Sequence, residues 1–298
     1  GEHLARLHAV RPRPGDGLRT LRDGGACLLH AHYTGDRLAV LRGSRYTARH
    51  PFVAFYEARL PALRAAVDTE HLRWGLLHGD PFLDNFLINE TSGEVRGLID
   101  FEDACVGPLV FDVACCAVGT CFAPDEGSDA SARPRRSSQP APEKLDPSRL
   151  AALLLGYSAV RPLSRHERAA FNGYLAAALL CNCAWRFAHF HIEARESEIA
   201  RDSYLELQRR LEHCERPEVR AAVDALLATL PAGDCGAGAD CGGLGPSVGL
   251  AQGPAGAERM RVPLSTLTVA TTAFGFFLGS LLRSRAASRA ASAGTQRR

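Results

Sequence analysis

The chain has 298 residues, of which 46% are hydrophobic and 23% charged, a composition that folds around a core rather than staying disordered. Lys plus Arg total 35 against 33 Asp plus Glu, and the small excess sits in Arg283, Arg285, Arg289, Arg297 and Arg298; without these five the balance is 30 against 33, which excludes a broadly basic nucleic-acid binder. Lysine occurs once, at Lys144, so a buried catalytic lysine elsewhere is excluded as well.

The first residue is Gly and the only Met is Met260, which predicts a fragment of a longer product. The ten Cys (27, 105, 115, 116, 121, 181, 183, 214, 235 and 241) form no CxxC pair and no zinc-finger spacing. Several lie in apolar runs, and the expectation is reduced thiols in a cytoplasmic setting.

Leu4 and Leu7 in Gly1–Val10 predict a helix already under way at the start, followed over 11–50 by Arg-, Gly- and Pro-rich loops with at most short elements. A helix is expected over Pro51–Val67, with Phe52, Phe55, Tyr56, Leu60 and Leu63 on its apolar face. Trp74–Leu77 is apolar and leads into His78-Gly79-Asp80. Strands are expected at Phe86–Ile88 and Val95–Ile99, joined through Thr91-Ser92-Gly93-Glu94 into a small hairpin. Val110–Val118 predicts a buried helix.

Residues 123–144 are Pro-, Ser- and Ala-rich and read as a disordered insertion. Helices then follow at Pro147–Val160, Ser164–Glu193, Ser197–Cys214 and Pro217–Leu230, with Ser164 and Glu167 at capping-box spacing. Residues 231–261 read as a Gly-rich linker. Val262–Leu282 is 21 uncharged residues, long enough to span a bilayer, although four Thr, two Ser and a Pro weaken that reading against an amphipathic tail. Residues 283–298 form a basic tail.

The chemistry concentrates in His78-Gly79-Asp80-Pro81-Phe82-Leu83-Asp84-Asn85. An Asp followed five residues later by Asn is the spacing of a kinase catalytic loop, where the Asp engages the acceptor hydroxyl and the Asn holds a metal ion. Fifteen residues beyond Asn85, Asp100 ends the second strand of the hairpin, where a second metal-binding carboxylate belongs. Phosphoryl transfer spreads negative charge over phosphate oxygens, and Mg²⁺, which prefers hard oxygen ligands, neutralises it.

HGDPFLDN, followed by LIDFEDA and FDVA, resembles the aminoglycoside phosphotransferase and choline kinase superfamily, closest to its homoserine kinase-like branch, and GYSAVRPLSRHERAAF with Trp185 and Arg186 is similar to the later helices of that branch. The resemblance implies a protein-kinase-like α+β fold, mostly helical with a short catalytic hairpin, over residues 1–230. It implies ATP and Mg²⁺ as cofactors, a small-molecule hydroxyl as acceptor, and no nucleic-acid partner. Asp80 then matches the catalytic Asp and His78 the loop histidine, a brace more than a proton carrier. Asn85 and Asp100 match the Mg²⁺ ligands. Asp84 and Asp112 match supporting carboxylates, Asp112 as a buttress of the loop. Glu102 and Asp103 fall on the acceptor side, and Arg186 is a candidate for a substrate carboxylate, against the plainer reading of a salt bridge.

The chain departs from the superfamily in showing neither the small N-terminal lobe nor its ion-paired Lys, so the expectation is a C-lobe alone. Two alternatives follow: a catalytically inactive binding module, or an adaptor tethered to a membrane through 262–282 with its domain in the cytosol. A protein kinase is disfavoured, because HGD stands where HRD belongs and no DFG or APE segment follows.

Overall fold

The computed structural model describes residues 1–13, 16–18, 20, 28–124, 143–194 and 198–231. The expected linker, apolar stretch and basic tail beyond residue 231 lie outside the described residues. Among those described, no helix is long and apolar enough to cross a membrane.

The fold is built of helices and small two-stranded sheets. Its centre is a helix apolar on every face but for Asp112, the mark of a segment enclosed on every side. Every residue of Leu109–Val118 in α5 (Leu109–Thr120) is buried, and the helix packs against α7 (Arg165–Ala188). α7 starts as its sequence dictates: the Ser164 hydroxyl accepts from the Glu167 amide while the Glu167 carboxylate accepts from the Ser164 amide, a complete capping box. Its 24 residues bury Phe171, Tyr174 and Phe187 completely, and each such ring contributes on the order of 1.5–3 kcal/mol. α4 (Pro51–Val67) lies against it, begun by Pro51 at the first helical position and by His50, whose Nδ1 accepts from the Phe52 amide.

α1 (Glu2–His8), α6 (Pro147–Ser158) and α10 (Pro217–Thr229) fall within the expected spans. The short elements allowed over 11–50 are two helices, α2 (Leu28–Thr34) and α3 (Asp36–Gly43), joined through Gly35 at φ 90°. Two expectations need correction. The single helix expected over Ser197–Cys214 is broken into α8 (Glu198–Arg201) and α9 (Tyr204–Cys214) at Asp202-Ser203, residue types that favour helix starts over interiors. The ends of the expected insertion are not irregular: β5 (Phe122–Pro124) pairs antiparallel with β6 (Glu143–Leu145), with Phe122 opposite Leu145. Residues 125–142, between those strands, lie outside the described residues.

The remaining strands position the site. β1 (Trp74–Leu77) pairs antiparallel with β4 (Cys105–Pro108), Leu77 opposite Cys105. β2 (Phe86–Ile88) and β3 (Val95–Leu98) form the expected hairpin, Phe86 opposite Leu98, with the second strand one residue shorter than expected. Each of these sheets has two strands. The His78–Asn85 loop therefore leaves one sheet and enters the other, and β4 feeds directly into α5 beneath it. The seven Cys among the described residues are all free and buried.

Candidate active site

The loop turns at Gly79, which has φ 90°. A Cβ there would meet the Asp103 carbonyl oxygen at 2.4 Å, so glycine is required both by the left-handed backbone and by the close approach of the segment leading into β4. On its lower side, Phe82 rests on Gly119 of α5, where an added Cβ would meet the ring at 2.9 Å.

Asp112, one turn into α5 and fully buried, holds this turn from below. One carboxylate oxygen accepts from the His78 amide at 2.6 Å and the other from the Gly79 amide at 3.1 Å. A third donor, His8 Nε2 of α1, reaches the first oxygen at 3.1 Å. The sequence resemblance marked Asp112 as a buttress; its partner His8 was missed. The available signal was Leu4 and His8 at i, i+4, which places a polar ring on the apolar face of α1.

The His78 ring is committed on both sides. Nδ1 accepts from the Asp80 amide at 3.3 Å, so Nε2 carries the proton and donates to the Ile99 carbonyl at 2.8 Å. The residue is completely buried and ties the end of β1 to the residue after β3.

Asp80 and Asn85 interlock. The Asn85 amide nitrogen donates to the Asp80 backbone oxygen at 2.8 Å and to its carboxylate at 2.9 Å. Both partners are acceptors, so the amide must present nitrogen here, which turns its carbonyl oxygen away from Asp80. The Asn85 backbone oxygen accepts from the Ile99 amide at 3.0 Å, bringing Asp100 alongside. Asp100 is itself left-handed at φ 65°, a conformation that Asp tolerates better than most side chains.

Burial pushes the Asp80 carboxyl up to about 6, with Asp84, Asp100 and Asp112 raising it further and the Asn85 hydrogen bond opposing them. Asp103 is likewise pushed up to about 6, first by burial and then by the charges of Asp80, Glu102 and Asp100, with His78 opposing them. Asp84, Asp100 and Asp103 thus each lie within electrostatic reach of Asp80 around the loop. Asp84 and Glu102 are solvent-exposed. Arg186 of α7 lies in a different setting, donating to Glu206 of α9 at 3.3 Å and to the Ser203 carbonyl at 3.3 Å. Among the described residues no three His, Cys, Asp or Glu side chains converge on a common metal position.

Against known proteins, residues 1–163 match the model of the phosphotransferase enzyme family known as APH. The match covers more than half of the chain, and the chain belongs to that family. Among curated relatives it is 31% identical over 145 residues to the homoserine kinase of Gluconobacter oxydans, covering 49% of this chain and 40% of that one. It is 38% identical over 126 residues to the homoserine kinase of Xanthobacter autotrophicus, covering 40% of this chain and 33% of that one. The matched stretch thus spans two fifths or less of the length of these relatives. Among solved structures, a choline/ethanolamine kinase family protein from Mesorhizobium loti aligns with a TM-score of 0.48 at 16% identity, over 76% of this chain and 64% of that one.

The left-handed turn at Asp100 can be tested by substitution. Replacing a left-handed Asp by Gly removes a carboxylate from a crowded cluster and relaxes φ, whereas Ala keeps the conformational penalty of about 1–2 kcal/mol. In thermal unfolding without metal, Asp100→Gly is expected to melt at or above the wild-type temperature and Asp100→Ala below Asp100→Gly. The reverse order would show that the Asp100 turn carries no strain.

Proposed function

We propose that this chain carries the acceptor and metal half of an ATP-dependent phosphotransferase acting on a small-molecule hydroxyl, with homoserine or another amino alcohol as the acceptor. The observation that carries the reading is the Asn85–Asp80 interlock, with Asp100 brought beside it by the Ile99–Asn85 backbone bond. Asp80 orients the acceptor hydroxyl and takes its proton late in the transfer, a role suited to a carboxyl pushed up to about 6. The Asn85 carbonyl oxygen and the Asp100 carboxylate are hard oxygen donors that suit Mg²⁺, which usually takes one or two protein oxygens and completes its shell with water and phosphate. When bound, Mg²⁺ neutralises charge on the transferring phosphate.

The remaining residues orient and support. Asp84 adds negative potential behind Asn85. His78, with both ring nitrogens engaged, braces the loop and moves no proton. Asp103 and Glu102 face the acceptor side, where carboxylates attract the ammonium of an amino alcohol. Arg186 has no part in this reading, since Glu206 and Ser203 occupy its guanidinium. A cytoplasmic setting suits the buried free thiols.

ADP release measured with this chain joined to a nucleotide-binding lobe, against a panel of homoserine, other amino alcohols, choline, ethanolamine and aminoglycosides, tests the reading. An amino alcohol is expected to stimulate release above all other acceptors. A folded protein that binds Mg²⁺ yet responds to none of them would overturn it.

The metal assignment has its own pH signature. The carboxyls of Asp80 and Asp103 are raised from 3.8 to about 6, so between these values the folded state holds more protons than the unfolded chain. Their contribution to stability therefore falls as pH rises through that window. A bound divalent cation opposes the charge responsible. Millimolar MgCl₂ should raise the melting temperature more at pH 7.5 than at pH 5, and this increment should vanish in Asp100→Gly. An equal increment at both pH values would place the cation elsewhere.

A further inference from the structure

The buried bonds around Asp112 do not end at His8. His8 Nδ1 lies 2.6 Å from the Tyr157 hydroxyl of α6, and that hydroxyl accepts from Arg161 at 2.8 Å. Arg161 also donates to Glu167 at 2.5 Å, and the Glu167 carboxylate accepts from the Ser164 amide in the capping box of α7. A single chain of side chains thus runs from the start of α7, through α6 and α1, into α5 and the catalytic loop. His8, Asp112, Tyr157 and Glu167 are all buried.

Its two ends have fixed polarity: Arg161 can only donate, and the Asp112 carboxylate can only accept. With a neutral imidazole, His8 therefore carries its proton on Nε2 and donates it to Asp112, and the Tyr157 hydroxyl, which accepts from Arg161, donates to His8 Nδ1. Buried networks of this kind fix one arrangement, because a half-satisfied one costs more than an apolar core.

We propose that His8 and Tyr157 are positioning residues for Asp80: the Arg161–Tyr157–His8 chain locks the orientation of Asp112, whose two oxygens hold the His78 and Gly79 amides and so set the turn that presents the catalytic carboxylate. The inference rests on the phosphotransferase reading only for the purpose of the turn; the lock itself is independent of it.

The test is made on the intact chain. Tyr157→Phe keeps the ring that fills the core and deletes only the hydroxyl. Hydrogen exchange at the His78 and Gly79 amides should quicken about tenfold or more relative to amides in α9, such as Leu207 and Leu211, which report global opening. Nitrogen NMR of the His8 imidazole should show Nε2–H alone in the wild type and a mixture of tautomers in Tyr157→Phe. His8→Gln offers a donor to Asp112 and an acceptor to Tyr157, and should restore protection that His8→Leu loses. Where turnover is measurable, kcat should fall about tenfold in Tyr157→Phe with the acceptor KM unchanged. Protection at His78 and Gly79 that stays at the wild-type level, or that falls only in step with α9, would overturn the proposal. Loss of protection, with no wild-type turnover even when the chain is joined to a nucleotide-binding lobe, would leave the lock standing and remove the phosphotransferase reading instead.

Discussion

With this chain joined to a nucleotide-binding lobe, Asp80→Asn is expected to lower phosphate transfer by about 10²–10⁴-fold while leaving the protein as stable as the wild type or more so. The rate falls because an amide can still touch the acceptor hydroxyl but cannot accept its proton, and a positioned base contributes about that factor. Stability does not fall, because the Asn85 amide keeps an oxygen to donate to at position 80 and the Asp80 backbone bond is untouched. The substitution also removes a charge that burial and the neighbouring Asp84, Asp100 and Asp112 all disfavour. ADP release with the preferred acceptor, measured beside thermal unfolding, separates the two effects. A wild-type kcat would defeat the assignment of Asp80. A large drop in melting temperature would mean that the carboxylate charge holds the loop together, which its raised pKa contradicts.

The helices and the hairpin were legible because their signals are local. The face of Pro51–Val67 repeats at helical spacing, Ser164 and Glu167 stand three apart, and two apolar runs flank a Ser-Gly turn. β4 was not legible: Cys-Val-Gly-Pro has no alternation and becomes a strand only because Trp74–Leu77 lies opposite. α2 and α3 were hidden for a similar reason, since seven- and eight-residue helices gain most of their stability from packing rather than propensity.

The same divide runs through the candidate site. Asp80, Asn85 and Asp100 lie within a 21-residue window whose order alone suggests the chemistry. His8, 104 residues from Asp112 and 149 from Tyr157, carries no local mark of its task. The residues assigned to substrate and metal, and the braces His78 and Asp112, were marked by motif, whereas His8 and Tyr157 emerge only from contacts. That shape has a definite origin. Gly79 and Asp100 are both left-handed, and each is fixed by a bond from outside its own turn: Gly79 by Asp112 and, next to Asp100, Ile99 by His78 and Asn85. The strained geometry persists because the surrounding structure over-determines it.

Asp112 is therefore where the largest loss of stability is expected. Removing its carboxylate strands three donors at once: the His78 and Gly79 amides and His8 Nε2. None can turn to water, because Asp112 and both ring-bearing partners are buried. Each buried donor left without a partner costs about 1–3 kcal/mol, so three at once cost about 3 kcal/mol or more, a large share of the 5–15 kcal/mol typical of a whole domain. Asp112→Ala should accordingly show that loss in urea unfolding followed by tryptophan fluorescence, with Trp74 of β1 close to the damaged turn. Asp112→Asn keeps the shape and one accepting oxygen but sets an amide nitrogen against a donor, and should lose about 1–3 kcal/mol. If the Ala variant does not fold, the Asn variant still decides the matter, since its wild-type-like shape leaves the donor conflict as the main change. A loss below about 0.5 kcal/mol in Asp112→Asn, the scale of an ordinary surface substitution, would mean that the loop holds its turn unaided and that the clamp beneath Asp80 is incidental.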